Sequence, residues 1–300
     1  MAEAKQPVGM IGTGLMGTAC AKRLLGAGFD VIGYDVDPSK LEPLTKLGGR
    51  PARSIGEIAR GCDRVVLAVF NTDQVEQAIE GPQGLAASRP AGAPPLVAIC
   101  VSTCDPDRIA ALAARLPAAR VRFVEAPVSG TSDQTARGDA LGLVGGDPAA
   151  VESVRDVVAA IAPRWRHVGP AGNGGRTKLG INLILGINRA ALAEGLVLAE
   201  RMGLAPERFL EAARDSAAYS QVMDIKGAKM IAGNFTPQGY IAQSLKDFSL
   251  MLEQARRRGQ RLPLGEIYAG LMEGCIAAGE GELDNSAVIR EIRRRTASKA

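Results

Sequence analysis

One turn near the N-terminus constrains the fold of this chain more than any other feature. Residues 12–17 read Gly-Thr-Gly-Leu-Met-Gly, a Gly-x-Gly-x-x-Gly pattern between a short apolar strand at residues 8–11 and an apolar helix. In such a pattern the first glycine allows a tight turn, the second lets a pyrophosphate approach the backbone, and the third lets the helix pack on the strand. The helix N-terminus then offers unpaired N–H groups and a positive dipole end to the phosphates. The predicted dinucleotide contacts are Gly12, Thr13, Gly14, Leu15, Met16 and Gly17.

An acid at the end of the next strand supports this interpretation. Residues 29–34 form a second apolar strand that ends in Asp35. The spacing from Gly12 to Asp35 is close to the ~20 residues at which an acidic side chain binds the ribose hydroxyls of a dinucleotide. A carboxylate there repels a 2′-phosphate, so we predict NAD as the cofactor, although the strictness of NAD over NADP stays open. The alternative is that Asp35 only caps the helix after Pro38.

Strands and helices continue to alternate up to about residue 170. Residues 65–69 are a continuous apolar run of the kind found in buried parallel strands, and further strands are predicted at residues 96–99, 121–124 and 140–144. Helices are predicted between and after them, at residues 39–47, 54–60, 105–116 and 148–161. This pattern predicts an α/β Rossmann-type domain over residues 1–170. Ligands of such sheets bind at strand carboxyl ends, which adds Val69, Phe70 and Asn71 to the predicted cofactor contacts.

The second part of the chain has a different pattern. A glycine-rich run at residues 169–175 looks hinge-like, and no strand signal follows it. Thr177 to Met202 is predicted as one helix that is apolar nearly all round, so it should be buried by domain packing or by a partner chain. Five more helices are predicted at residues 206–216, 222–231, 245–258, 263–278 and 286–295. We therefore expect an all-α substrate and dimerisation domain over residues 171–300, an active site in the cleft between the domains, and a homodimer or homotetramer.

Composition argues against several other classes. Aromatic residues make up 4% of the chain with one tryptophan, which disfavours a stacking platform for nucleic acid. The formal charge of +4 comes from the last eleven residues, where cations suit a helix C-terminus. Five scattered cysteines and one histidine make a metal site improbable, and the thiols read as apolar core residues in a reducing compartment.

Membrane insertion and export are also disfavoured. The longest apolar stretch, residues 179–199, contains Asn182, Asn188, Arg189 and Glu194, which argues against a membrane span. No convincing secretory signal is found, so we expect a cytoplasmic protein that binds neither nucleic acid nor membrane.

Lys178 is the best candidate for proton transfer. It lies in the first turn of the predicted long helix, and Asn182 follows four residues later on the same face. Burial and the positive end of the helix dipole would favour its neutral amine, which can accept a proton. The alternative is a solvated lysine at a helix start. His167 is a poor candidate because nothing near it in the sequence pairs with it.

Five motifs, in order along the chain, resemble the β-hydroxyacid dehydrogenases, the family of 3-hydroxyisobutyrate dehydrogenase and tartronate semialdehyde reductase. They are residues 12–17, Ser102-Thr103, residues 125–130, Gly172-x-Gly174 with Lys178 and Asn182, and Lys246-Asp247. The resemblance implies that Lys178 is the acid/base, that Ser129, Gly130 and Asn182 hold the substrate, and that Thr103 and Lys246 lie near the nicotinamide. For Lys246 the alternative is an exposed helix lysine.

The chain departs from the family pattern at several positions. Thr131 stands where the family usually has a second glycine; other departures are Leu183, Cys100 and Val69-Phe70. We predict that Thr131 contacts the substrate and favours an acid more polar than 3-hydroxyisobutyrate.

The resemblance implies an oxidoreductase that transfers hydride between NAD and a small 3-hydroxy acid or its semialdehyde. Alternatives are a threonate-type sugar-acid dehydrogenase and a 2-hydroxy-3-oxopropionate reductase. Outside this class stand an imine reductase on the same scaffold and a non-catalytic nucleotide-binding module, and the presence of Lys178 counts against both.

Overall fold

The computed structural model describes residues 6–296, and contacts divide the chain after Lys178 into two compact units. The described part of the first unit is built on strands β1 to β9: Val8–Ile11, Val31–Tyr34, Arg50–Pro51, Arg64–Leu67, Leu96–Cys100, Val121–Glu125, Val128–Ser129, Leu141–Gly146 and Arg164–His167. Its helices α1 to α9 are Leu15–Gly26, Leu41–Lys46, Ile55–Gly61, Thr72–Glu80, Leu85–Ser88, Pro106–Arg115, Ser132–Arg137, Pro148–Ser153 and Arg155–Ile161.

The strands form one sheet in the order β3-β2-β1-β4-β5-β6-β8-β7, with β9 paired to β8. The first six strands of this order, β3, β2, β1, β4, β5 and β6, are parallel to one another, and β8 is antiparallel to β6. Because β2, β1, β4, β5 and β6 are parallel, their carboxyl ends meet at one edge of the sheet. Most of the predicted cofactor residues follow these ends.

Both faces of the sheet are covered by apolar side chains. Val66 belongs to one buried cluster, whereas its neighbours Val65 and Leu67 belong to another. Successive residues of a strand point to opposite faces, so two cores enclose the sheet. The predicted Rossmann-type domain is confirmed. All five cysteines are buried, as predicted.

Two predicted helix starts are confirmed, and one predicted helix is wrong. Ser54 accepts a hydrogen bond from the Glu57 N–H at 3.2 Å, and Asp105 accepts from the Asp107 N–H at 2.9 Å. The helix predicted over residues 148–161 is instead two helices, because Val154 has φ −121° and ψ 13°, outside the helical region. Strands β3 and β7 have two residues each, too short to produce a sequence pattern.

The second unit is helical, as predicted. Its described helices are α10 to α15: Asn173–Arg201, which begins in the first unit, then Pro206–Asp215, Ala228–Ala232, Ile241–Arg257, Pro263–Ala277 and Val288–Thr296. A π-helical turn, Met223–Gly227, precedes α12. Helices α10 and α13 approach closely at Gly186, where an added Cβ would lie 2.4 Å from Phe248 Cζ. The domain boundary near residue 170 stays a prediction.

A buried ion pair lies inside the second unit. Lys226 Nζ lies 2.9 Å from both carboxylate oxygens of Asp284, and the two side chains are 3% and 0% exposed. The Asp284 carboxylate also accepts from the Gln238 N–H at 2.8 Å and the Ser286 hydroxyl at 2.7 Å. Every partner of this carboxylate named here is a donor, which suits its ionised form.

Helix α10 is long and apolar enough to cross a membrane by length and composition alone, and 28% of its most apolar window is buried within the chain. Ile184 and Leu198 are 61% and 57% exposed. Packing within the chain therefore leaves most of this helix exposed, and its burial by a partner chain stays a prediction.

The C-terminal arginines are tied to nearby carboxylates. Arg290 and Arg294 each lie 2.9 Å from Glu280, and Arg295 lies 2.7 Å from Glu291. Their charge is thus partly compensated by neighbouring carboxylates, in addition to its place at a helix end. Lys299, counted with this charge in the sequence, lies outside the described residues.

Candidate active site

The glycine turn has the close contacts that its sequence predicts. Gly12 has φ +90°, and a Cβ at this position would lie 2.5 Å from the Ala68 carbonyl oxygen. A Cβ on Gly17 would lie 2.0 Å from the Gly12 carbonyl oxygen, so helix α1 rests directly on the turn. Among the described residues no side chain caps α1, and its first turn carries no acid. The donor set and the glycine cradle therefore fit a dinucleotide pyrophosphate.

Asp35 follows strand β2 and is tied to the glycine turn. Its Oδ2 accepts from the Thr13 N–H at 2.8 Å, and its Oδ1 accepts from the Asp37 N–H at 3.0 Å. The short helical turn after Pro38 is capped by Asp37, which accepts from the Ser39 N–H. The alternative role of Asp35 as that cap is therefore wrong. A carboxylate has about four acceptor positions, so Asp35 keeps capacity for a ligand hydroxyl.

The segment after β4 holds three predicted cofactor residues and is fixed by its own side chains. Asn71 caps α4 by accepting from the Gln74 N–H at 2.9 Å, and Gln74 Oε1 accepts from the Phe70 N–H at 2.7 Å. The Ser102 hydroxyl donates to the Val69 carbonyl at 2.7 Å. The Ser102–Val69 bond joins the ends of the neighbouring strands β4 and β5, and Thr103 follows β5 as a buried residue. Cofactor contact by these residues stays a prediction.

The predicted substrate residues of the first unit surround the start of α7. Ser129 ends β7, and a Cβ on Gly130 would lie 2.8 Å from Ala140 Cβ. Thr131 caps α7: its hydroxyl accepts from the Gln134 N–H at 3.2 Å, and Gln134 Oε1 accepts from the Thr131 N–H at 2.9 Å. Sequence reasoning missed this capping box, although the Thr-x-x-Gln spacing signals it. Contact of Thr131 with substrate stays a prediction.

Glu125, to which sequence reasoning gave no role, ends strand β6 and is 2% exposed. Its Oε2 accepts from the N–H groups of Gly172 and Gly174 at 2.8 and 3.0 Å, and its Oε1 accepts from the Gly175 N–H at 2.7 Å. Burial raises the pKa of Glu125 to about 7, against the lowering effect of these bonds and of Arg176.

The glycine-rich run predicted as hinge-like includes the first turn of helix α10, which begins at Asn173 rather than at Thr177. A Cβ on Gly174 or Gly175 would lie 2.9 or 2.7 Å from a Glu125 oxygen. These two glycines therefore serve a close approach between backbone and carboxylate.

Lys178 lies one turn beyond Gly175 on α10 and is 6% exposed. The alternative of a solvated lysine at a helix start is therefore wrong. His167 is exposed at the end of β9, with Nε2 3.1 Å from the Gly146 carbonyl oxygen.

Two predicted residues of the second unit meet at one carboxylate. The Asn182 amide donates through Nδ2 to Asp247 Oδ2 at 2.9 Å, and Lys246 Nζ lies 2.8 Å from Asp247 Oδ1. The Lys246 side chain is 15% exposed and Asp247 is buried, so the alternative of an exposed helix lysine is wrong. Sequence reasoning counted Asp247 as part of a motif but gave it no role. Its position next to Lys246 was the available signal.

Comparisons with known proteins agree with both units. Residues 7–169 match the family described as the NAD binding domain of 6-phosphogluconate dehydrogenase, and residues 172–292 match NAD-binding of NADP-dependent 3-hydroxyisobutyrate dehydrogenase. The chain is 32% identical to L-threonate dehydrogenase of Cupriavidus necator, over 94% of this chain and 95% of that protein. It is 28% identical to 2-hydroxy-3-oxopropionate reductase of Escherichia coli, over 95% and 96% of the two chains.

A solved structure shows the same likeness. The crystal structure of 3-hydroxyisobutyrate dehydrogenase from Salmonella typhimurium superposes with a TM-score of 0.86 at 28% identity, covering 95% of this chain and 99% of that one.

Proposed function

This chain belongs to the β-hydroxyacid dehydrogenase family, and we propose that it transfers hydride between NAD and a small 3-hydroxy acid or the corresponding semialdehyde. The dependence on a nicotinamide cofactor and the hydroxy-acid class of substrate follow from the family. The burial of Lys178, one turn after the backbone held by Glu125, carries the finer proposal. A lysine amine kept from water can exchange a proton directly with a bound substrate hydroxyl.

Each proposed residue has a chemical task. Bound NAD supplies the hydride acceptor. Lys178 takes the hydroxyl proton as the carbinol hydrogen leaves with its electron pair, and it returns that proton in the reductive direction. The Ser129 hydroxyl and the Gly130 backbone N–H suit a substrate carboxylate. Asn182, whose amide is oriented by Asp247, would hold the substrate hydroxyl.

Asp35 supports the preference for NAD over NADP. Its carboxylate lies at the end of β2 and bonds to the Thr13 N–H, within the turn that fits the pyrophosphate. A 2′-phosphate beside this charge would be repelled.

We also propose a homodimer or homotetramer, because a second copy would cover the exposed apolar residues of α10 such as Ile184 and Leu198. A cytoplasmic location is proposed because five buried thiols without a disulfide suit a reducing compartment.

A threonate-type sugar acid is the second candidate substrate. L-threonate dehydrogenase of Cupriavidus necator is a relative over nearly the full length. Thr131 adds a hydroxyl next to Gly130, which suits a substrate with more hydroxyl groups. The reductive direction on 2-hydroxy-3-oxopropionate is a third candidate, named by the Escherichia coli relative.

The test is the initial rate of NADH formation over 3-hydroxyisobutyrate, glycerate, serine, threonate and 3-hydroxypropionate. Wild type is compared with Lys178→Ala and with Lys46→Ala, which removes an exposed lysine. We expect one acid to be turned over, Lys178→Ala to lose about 10²-fold in kcat, and Lys46→Ala to match wild type. Parallel assays with NADP give the cofactor preference. Tight NADH binding without turnover of any acid in either direction would refute the proposed function.

A further inference from the structure

We infer that Glu125 is a positioning residue for Lys178: its carboxylate fixes the first turn of helix α10 and so sets where the lysine amine lies. This inference rests on the proposed role of Lys178. It adds a residue outside the direct contacts proposed for substrate and cofactor.

The contacts between Glu125 and α10 are made to the backbone. Three N–H groups, of Gly172, Gly174 and Gly175, donate to the two carboxylate oxygens at 2.8, 3.0 and 2.7 Å. The first N–H groups of a helix have no partner within the helix, so this carboxylate supplies what the helix itself cannot. Because the bonds are to backbone, moving the carboxylate moves the turn as a whole.

The surrounding backbone leaves the carboxylate little freedom. A Cβ on Gly145 of β8 would lie 2.8 Å from Oε2, and Cβ atoms on Gly174 and Gly175 would lie 2.9 and 2.7 Å from the nearer oxygen. Glu125 itself ends β6, a strand paired with β5 and β8 in the sheet. The sheet thus holds the Glu125 backbone in place, and the Glu125 carboxylate in turn holds the start of α10.

Lys178 is three residues beyond Gly175, about 4.5 Å along the axis of the same helix. A helix is stiff over one turn, so a shift of its first turn is passed to Lys178 almost unchanged. A misplacement of about 1 Å in a reacting group costs about 10² in rate. The position of the turn therefore matters for proton transfer.

The charge of Glu125 matters as well as its size. Its three partners are all donors, so an amide at this position would direct an N–H group at another N–H group. The charged and titratable groups that face it are Arg176 on α10 and Cys100 on β5. Arg176 also lies 3.0 Å from Asp107, which places a cation beside the first turn.

The experiment compares wild type with Glu125→Gln, Glu125→Asp and Asp147→Asn. Asp147 is the matched control, because its carboxylate accepts two backbone N–H bonds at the start of α8, which carries no proposed site residue. We expect Glu125→Gln to lower kcat about 10- to 100-fold while the KM for NAD changes less than about threefold. Glu125→Asp keeps the charge and should recover part of the rate, and Asp147→Asn should stay within about twofold of wild type.

Amide hydrogen exchange of residues 172–178 gives a second readout that needs no turnover. Exchange there should become at least about tenfold faster in Glu125→Gln, with β1, β4 and β5 unchanged. If Glu125→Gln does not fold, Glu125→Asp is measured instead, with a smaller loss of kcat and faster exchange at the same residues expected.

Unchanged exchange at residues 172–178 would overturn the inference. So would a kcat within about threefold of wild type for Glu125→Gln, or an equal loss in Asp147→Asn. Failure of the proposed function looks different: the wild type would then turn over none of the acids. In that case the exchange rates alone decide whether Glu125 holds the turn.

Discussion

Replacing Asp284 by asparagine tests how much the buried ion pair contributes to the stability of the second unit. In the folded chain Lys226 Nζ lies 2.9 Å from each oxygen of Asp284 and 3.0 Å from Gln238 Oε1. Burial would raise the pKa of Asp284, but the Lys226 charge and hydrogen bonds from Lys226, Ser286 and Gln238 hold it below its usual range. Asp284→Asn removes the one negative charge among these contacts and leaves the ammonium buried.

The expected cost is about 3 to 5 kcal/mol of unfolding free energy near neutral pH, since breaking a buried pair leaves an uncompensated charge. The cost should shrink at higher pH. Burial already lowers the pKa of Lys226 to about 8 in wild type, and removal of Asp284 takes away the main opposing effect. With its pKa depressed further, Lys226 in the variant sheds its proton on folding at a lower pH.

Stability rises with pH wherever the unfolded state binds more protons, by at most about 1.4 kcal/mol per pH unit for one group. For wild type this rise lies between about pH 8 and the ordinary lysine pKa of 10.5. For the variant it starts at lower pH, so the difference between the two proteins is larger at low pH than at high pH.

Urea unfolding followed by circular dichroism at about pH 6.5 and 9 measures both effects. Asp224→Asn is the control, because Asp224 pairs with Arg214 at a half-exposed site and should cost less than about 1 kcal/mol. A loss for Asp284→Asn no larger than that of the control, or one that grows with pH, would refute the reasoning.

Three further predictions concern the first unit. Gly17→Ala should weaken NADH binding at least about tenfold in a fluorescence titration, because its Cβ would meet the Gly12 carbonyl oxygen at 2.0 Å. The control Gly26→Ala should bind NADH like wild type, because its Cβ would meet no described atom within 4 Å. Asp35→Ser should raise the NADP to NAD ratio of kcat/KM at least about tenfold, and an unchanged ratio would contradict the proposed preference. The raised pKa of Glu125 means that the folded state binds more protons than the unfolded state between pH 4.5 and about pH 7. The stability of wild type relative to Glu125→Gln, measured by urea unfolding, should therefore fall by about 3 kcal/mol over this range. A stability difference that is flat or rises over this range would contradict the raised pKa.

The parts of the fold that were predicted correctly have local signals. Apolar β-branched runs predicted the parallel strands, and Ser54 and Asp105 predicted helix starts because a cap acts within three residues. The first turn of α10 was missed because Gly174 and Gly175 oppose a helix by propensity. These glycines are explained by their close contact with Glu125, which is far away in sequence, so no local sequence pattern reveals it.

In the candidate site, too, the sequence predicted what has a local signal and missed what depends on contacts between distant residues. The spacing of Asp35 from the glycine turn predicted its position, but which of Asp35 and Asp37 caps the next turn depends on backbone geometry. Asp247 joins Asn182 and Lys246 only when α10 and α13 pack together. A periodicity argument finds each of these helices and cannot find the carboxylate they share.

The cradle around Glu125 has a consequence for how sequences of this family diverge. A Cβ on Gly175 would meet the Glu125 carboxylate at 2.7 Å, whereas a Cβ on Gly174 would also meet the Leu143 carbonyl oxygen at 2.7 Å and one on Gly145 the Pro170 carbonyl oxygen at 3.0 Å. A relative with a shorter residue at position 125 is released from this constraint at Gly175 and can accept alanine there, while Gly174 and Gly145 stay constrained by backbone. Substitutions at positions 125 and 175 should therefore be inherited together, although 50 residues of the chain separate them.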